Sequence, residues 1–217
     1  RGRRSARADA IVSYEEFAAP LRRQFGREPI FSEVAAAFLR KRKLRRAVAP
    51  RSFPLGMASQ LAEEGILVEP AQGPFWPERE IKSSDELRAI RKAIAMTEAG
   101  LRRAFEVLAA SEIGRAKKLQ WGGKPLTAER LRAEMEAAVA REGGAALYTI
   151  VAGGEQACDP HERGSGPLRA NELIILDLFP RDLSSGYYGD LTRTVVRGRA
   201  TAAQRERLAG QTQERRE

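Results

Sequence analysis

Residues 172–198 read ELIILDLFPRDLSSGYYGDLTRTVVRG, and this stretch decides the fold. Leu173 to Phe179 is an apolar run broken only by Asp177. Arg181 to Gly186 is polar and ends in glycine, and Tyr187 to Val196 is a second run rich in aromatic and β-branched residues. Two such runs split by turn chemistry predict a β-hairpin. Asp177 and Asp190 then stand about equally far from the turn. They are expected to face each other across the strands, with Cβ atoms about 4.5–5.5 Å apart.

Two carboxylates inside apolar strands repel each other and are costly to bury. They could share a proton, take Arg181 or Arg193 as an ionic partner, or hold one divalent cation or a pair. Two metals about 3.5–4 Å apart would suit such a site and would activate water for hydrolysis. Thr192, two residues after Asp190 and on the same face, is placed to hydrogen-bond one acid and steady it. The acids alone leave these alternatives open.

The wider wording narrows them. From Val151 to Gly198 the chain carries Pro160-His161-Glu162, then ILDLF around Asp177, then GYYGDLTRTVVRG from Gly186. This resembles the pita-bread metallopeptidases, and within them the Xaa-Pro aminopeptidase and dipeptidase branch (aminopeptidase P, prolidase). The specific element is the spaced Asp pair ending in D-x-T-R-T-x-x-x-G. Two departures stand out: Phe179 where the family often has glycine, and a slightly longer turn between the acids.

The resemblance implies that Asp177 and Asp190 are the first two metal ligands. It implies that His161 is the active-site histidine outside the metal shell, where an imidazole could meet the substrate carbonyl or the developing oxyanion. It implies an α+β, pita-bread (creatinase/aminopeptidase-like) catalytic domain, preceded by the end of a smaller α/β amino-terminal domain. The implied activity is metal-dependent hydrolysis of an Xaa-Pro bond at a peptide's amino terminus, or of an Xaa-Pro dipeptide. The implied cofactors are two divalent ions, manganese first, with cobalt or zinc as alternatives. The implied partner is a peptide with proline at its second position, and the full-length protein is expected to form a homo-oligomer.

The family also draws a further His and two Glu ligands from later in the chain. No His follows His161, and the acids after Asp190 are Glu206, Glu214 and Glu217, all in an Arg-laden tail. The expectation is therefore the first half of the catalytic domain, as a fragment or truncated product, binding metal weakly and inactive by itself. Residues 1–78 are read as the remnant of the amino-terminal domain with its linker, and 79–217 as the half catalytic domain. The competing reading is a non-catalytic pita-bread relative that binds protein or nucleic acid; an unrelated basic binding protein with a salt-bridged hairpin is a third.

Composition sets outer limits. The 217 residues are 42% hydrophobic with a formal charge of +9, and no apolar run approaches the roughly 18 residues a membrane span needs. One cysteine, Cys158, cannot form an internal disulfide, which suits a reducing compartment and a cytoplasmic setting. Its nearness to His161 raises a thiol nucleophile, but no third orienting residue is nearby. The positive charge is spread along the chain and dense only at Arg40–Arg46. With no zinc-ligand spacing or aromatic RNA-binding signature beside it, that cluster reads as a solvated helix face rather than a nucleic-acid footprint.

In chain order, Ser13 with Glu16 is a capping-box pattern opening a helix to Phe25, and a second helix is expected after Ser32. Residues 50–80, punctuated by Pro and Gly, read as a linker. Ser83 with Glu86 opens the strongest helix, whose Leu87, Ile90, Ile94, Thr97, Leu101, Phe105 and Leu108 form one apolar face expected to be core. Thr127 caps another helix closed by Gly143-Gly144, Leu147–Ala152 is a buried-strand candidate, and Thr201 with Gln204 starts a last helix.

Overall fold

In the computed structural model, which describes residues 10–206, the chain divides into two units between Ile81 and Lys82. In the first unit, α1 (Glu15–Phe25) and α2 (Phe31–Lys41) pack through Phe17, Leu21, Val34 and Phe38. The 50–80 stretch is more regular than a linker. β1 (Arg46–Ala49), α3 (Leu55–Glu63) and β2 (Leu67–Pro70) form a β-α-β unit with the two strands parallel. Its Pro and Gly residues mark element ends rather than disrupt elements. Pro54 precedes α3, Gly65 follows it at φ +75°, and Pro70 closes β2. Leu61 and Ile66 are buried with Ala36 of α2, which is why this short segment holds its shape.

Two helix starts differ from the sequence reading. α1 begins after Tyr14 with no side-chain cap, so Ser13 does not cap it. α2 begins ahead of Ser32, because the Glu33 carboxylate takes the Ile30 N–H at 2.8 Å. The basic run also splits, ending α2 and entering β1 instead of lying along one helix face. Arg40 pairs with Glu64 at 2.8 Å, Arg46 with Glu69 at 2.7 Å, and Lys41 with Glu16.

In the second unit, α4 (Ser84–Ala110) opens on the expected capping box. Ser83 N–H donates to Glu86 Oε2 at 2.8 Å, and Glu86 N–H to Ser83 Oγ at 3.3 Å. β3 (Glu112–Ile113), β4 (Leu119–Trp121) and β5 (Lys124–Pro125) make a small antiparallel sheet, and Thr127 caps α5 (Ala128–Arg141) through Arg130 N–H. β6 (Gly144–Ala145) pairs with β9 (Arg181–Asp182). The main sheet has the order β10 (Leu191–Val196), β8 (Leu173–Leu178), β7 (Ile150–Gly153), all antiparallel. Thr201 and Gln204 make their reciprocal bonds at 2.8 and 3.2 Å. Among the described residues, no helix is long and apolar enough to cross a membrane.

Alternation along β8 sets the layers. Ile174, Leu176 and Leu178 are buried with residues of α4 and α5, while Leu173, Ile175 and Asp177 lie on the opposite, half-open face. The buried stripe of α4 keeps Thr97, Leu101 and Leu108 of the predicted face and departs from it elsewhere. Leu87 and Phe105 are exposed, and the buried positions are Ala93, Met96, Thr97, Gly100, Leu101, Ala104, Val107 and Leu108. Small residues let the helix lie close to the sheet. A Cβ on Gly100 would run into Leu178 Cδ2 and come within 3.1 Å of Val139 Cγ2. The fully buried Leu178 fills that notch. Leu178→Ala should cost about 2–5 kcal/mol with an unchanged m-value in urea unfolding, because a glycine-lined notch cannot collapse to fill the cavity.

Candidate metal centre

The hairpin forms with a register two residues away from a direct acid pair. Asp177 stands opposite Thr192, and Leu178 opposite Leu191. The ladder continues toward the tip, where Gly189 N–H donates to Pro180 O at 3.0 Å, Arg181 bridges Tyr188, and Asp182 N–H donates to Tyr187 O at 2.9 Å. Asp190 is therefore the diagonal neighbour of Asp177 on the same face, a relation that spans about 7–8 Å. A diagonal relation of that order, rather than a direct pair, leaves room for a cation between the acids.

The direct partner of Asp177 is a hydroxyl. Thr192 Oγ1 donates to Asp177 Oδ1 at 2.6 Å and fixes the carboxylate's orientation. Neither arginine relieves the acids. Arg193 donates to the Thr192 carbonyl at 2.8 Å, and Arg181 Nε to the Gly186 carbonyl at 3.4 Å. Among the described residues, no lysine or arginine forms an ion pair with Asp177 or Asp190. Two carboxylates with lone pairs left over and no cationic partner are the donor set a hard divalent cation takes. They are not a full set, and among the described residues no group of three or more His, Cys, Asp and Glu side chains converges on one point.

Asp177 and Thr192 line a cleft of about 190 Å³, walled by Ile150, Ala152 and Ile175 of the sheet and by Asp159 and Pro160. His161 is the next residue along but is not part of the lining. Its side chain is 94% exposed, with Nδ1 3.8 Å from Asp159 Oδ1, and its backbone N–H donates to that same oxygen at 2.8 Å. The structure thus brings Asp177 and Thr192 together, sets Asp190 diagonally beside them, and leaves His161 just outside the cleft. Asp159 is the residue sequence reasoning missed. Its signal was the Asp-Pro pair at a turn, which reads as loop chemistry until the fold carries it to the sheet. Cys158 is exposed, and nothing in the structure couples its thiol to His161.

The hairpin tip that delivers Asp190 is held to α4 by polar contacts. Asp182 is 1% exposed and accepts from Ser184, Ser185 and Lys92, the last at 3.2 Å. Those donors, led by the Ser185 hydroxyl, hold its carboxyl far below the usual range. Tyr187 Oη donates to Glu86 Oε1 at 2.6 Å. That bond, followed by the Ser83 donors, pulls the Glu86 carboxyl down to about 2. Both acids are therefore charged at neutral pH and serve as fixed anchors.

The model of metallopeptidase family M24 matches residues 88–210. No curated protein matches the chain. Among solved structures, prolidase from Pyrococcus furiosus superposes with a TM-score of 0.65 at 20% identity, over 83% of this chain and 49% of that one. The X-Pro aminopeptidase from Thermotoga maritima gives 0.64 at 19% identity, over 83% and 49%. A dipeptidase from Mycobacterium ulcerans gives 0.60 at 24% identity, over 82% and 44%. The chain spans about half the length of these structures or less.

Proposed function

Because the chain belongs to metallopeptidase family M24, which its residues 88–210 match, we propose that it is the metal-binding front half of a peptidase acting on peptides with proline at the second position. The observation that carries this reading is the pair of diagonal carboxylates, Asp177 and Asp190, with no cationic partner among the described residues and with Thr192 steadying one of them. Asp177 and Asp190 would hold divalent metal, with manganese as the first choice and cobalt or zinc as alternatives. A bound divalent ion supplies Lewis acidity and activated water to a hydrolytic reaction. Thr192 keeps one Asp177 oxygen turned toward itself and so leaves the other oriented for binding. His161, exposed beside the cleft, is available to donate a hydrogen bond to a peptide carbonyl. The similar structures, a prolidase and an X-Pro aminopeptidase, support this choice of substrate class. Within the basic run, Arg40, Lys41 and Arg46, three of its six cations, each pair with a glutamate, which lowers the charge left for a nucleic-acid partner.

A graded set of variants tests this reading. Mn²⁺ binding, followed by electron paramagnetic resonance, should be present in the wild type and lost in the Asp177→Asn/Asp190→Asn double variant. Thr192→Val should weaken it by about 10-fold without unfolding the chain. Equal Mn²⁺ affinity in the wild type and the double variant would sink the metal assignment. The substrate class is tested separately, by Xaa-Pro dipeptide and tripeptide hydrolysis with Mn²⁺ on the chain and on any longer product of the same gene.

A further inference from the structure

The lone imidazole sits on a doubly closed turn. Glu162 N–H donates to the Asp159 carbonyl at 3.2 Å, closing a β-turn over Asp-Pro-His-Glu. Pro160 at the second position presets the backbone, and the Asp159 side chain folds back to accept the His161 N–H at 2.8 Å. The far side of the turn is anchored. Gly164 N–H donates to Glu162 Oε1 at 2.9 Å, Arg132 Nη1 to Gly164 O at 2.9 Å, and Val151 N–H of β7 to Arg163 O at 3.0 Å. On the near side, Asp159 lies in the wall of the cleft that holds Asp177 and Thr192. One residue therefore both lines the acid cleft and, through its side chain, holds the backbone of His161.

We propose that Asp159 is a positioning residue for His161, setting the backbone at that position so that the imidazole stands beside the cleft. This rests on the reading of Asp177 and Asp190 as metal ligands. The role needs an acceptor for the His161 N–H and does not need a negative charge, so Asn should supply it and Ala should not. The position is exposed and lies on a loop, so both variants should keep the fold.

Because His161 is the chain's only histidine, a single imidazole Cε1–Hε1 resonance reports on it. Mn²⁺ bound at the acids broadens that resonance steeply as the distance shortens. At equal Mn²⁺ occupancy, the wild type and Asp159→Asn should broaden alike, whereas Asp159→Ala should broaden several-fold less. Without metal, the His161 amide should exchange with solvent faster in Asp159→Ala and at the wild-type rate in Asp159→Asn. Broadening in Asp159→Ala equal to the wild type would overturn the proposal. So would Asp159→Asn behaving like Asp159→Ala, which would make charge rather than acceptance the active property. If the Asp177→Asn/Asp190→Asn variant broadens as fully as the wild type, it is the metal reading that fails. The amide measurement then decides: faster exchange in Asp159→Ala alone supports the positioning role, and equal rates overturn it.

Discussion

Gly164→Ala is expected to remove about 3–5 kcal/mol of stability, a large share of what an ordinary domain has. Gly164 lies at φ +78°, and a Cβ there would overlap Val151 O and come within 2.6 Å of Val151 C and 2.8 Å of Ala152 Cα. All three are backbone atoms at β7, so no side-chain rotation can make room. The 159–164 loop would have to lift from the strand, carrying the His161 turn with it. Gly166→Ala is the control: its φ is +72°, but a Cβ would meet nothing within 4 Å. It should lose only about 1 kcal/mol, from the backbone conformation alone. Urea unfolding of the two variants separates strain from collision, and equal losses would show that the contact with β7 does not limit the loop.

Gly189→Ala should also be destabilising, for a different reason. Gly189 is buried and has no positive φ, but its missing side chain is what lets the start of β10 lie against α4. A Cβ would collide with Ala93 O and Thr97 Oγ1 and stand 2.6 Å from Ala93 C. Overpacking of this kind costs about 1–3 kcal/mol. Asp190 is the next residue, so the same change should weaken Mn²⁺ binding more than its effect on stability implies. Adding Thr97→Ala removes the hydroxyl but not the Ala93 carbonyl, and should leave most of the loss in place. Full recovery of stability in the double variant would mean that the helix backbone is not the obstacle.

Much of the candidate site was legible because its signals are local. The hairpin follows from two β-rich runs flanking a turn, and the D-x-T-R-T wording marks Asp177, Asp190 and Thr192 without reference to the rest of the chain. Capping at Ser83, Thr127 and Thr201 was readable for the same reason, since each cap is settled within four residues. Ser13 misled because its pattern was right while the helix began one residue later, after Tyr14. The β-α-β unit at 46–70 was hidden because its Pro and Gly residues look like breakers and are boundaries.

By itself, then, the sequence determined the two long helices and the central hairpin of the second unit, the family, and the Asp177–Thr192 contact, while the short strands at 112–125 and the β6–β9 pair were not read from it. What it determined depends on neighbours along the chain and on a motif of fixed spacing. Tertiary structure decided what depends on distance through space. It placed the hairpin tip between Ser184 and Ser185, which moves Asp190 from opposite Asp177 to the diagonal. It also brought Asp159 to the wall of the cleft. It shifted the buried face of α4 away from Leu87 and Phe105 toward Ala93, Gly100 and Ala104 while keeping Leu101 and Leu108, because close approach to a sheet rewards absent side chains as well as apolar ones, and hydrophobicity along a sequence cannot register an absence.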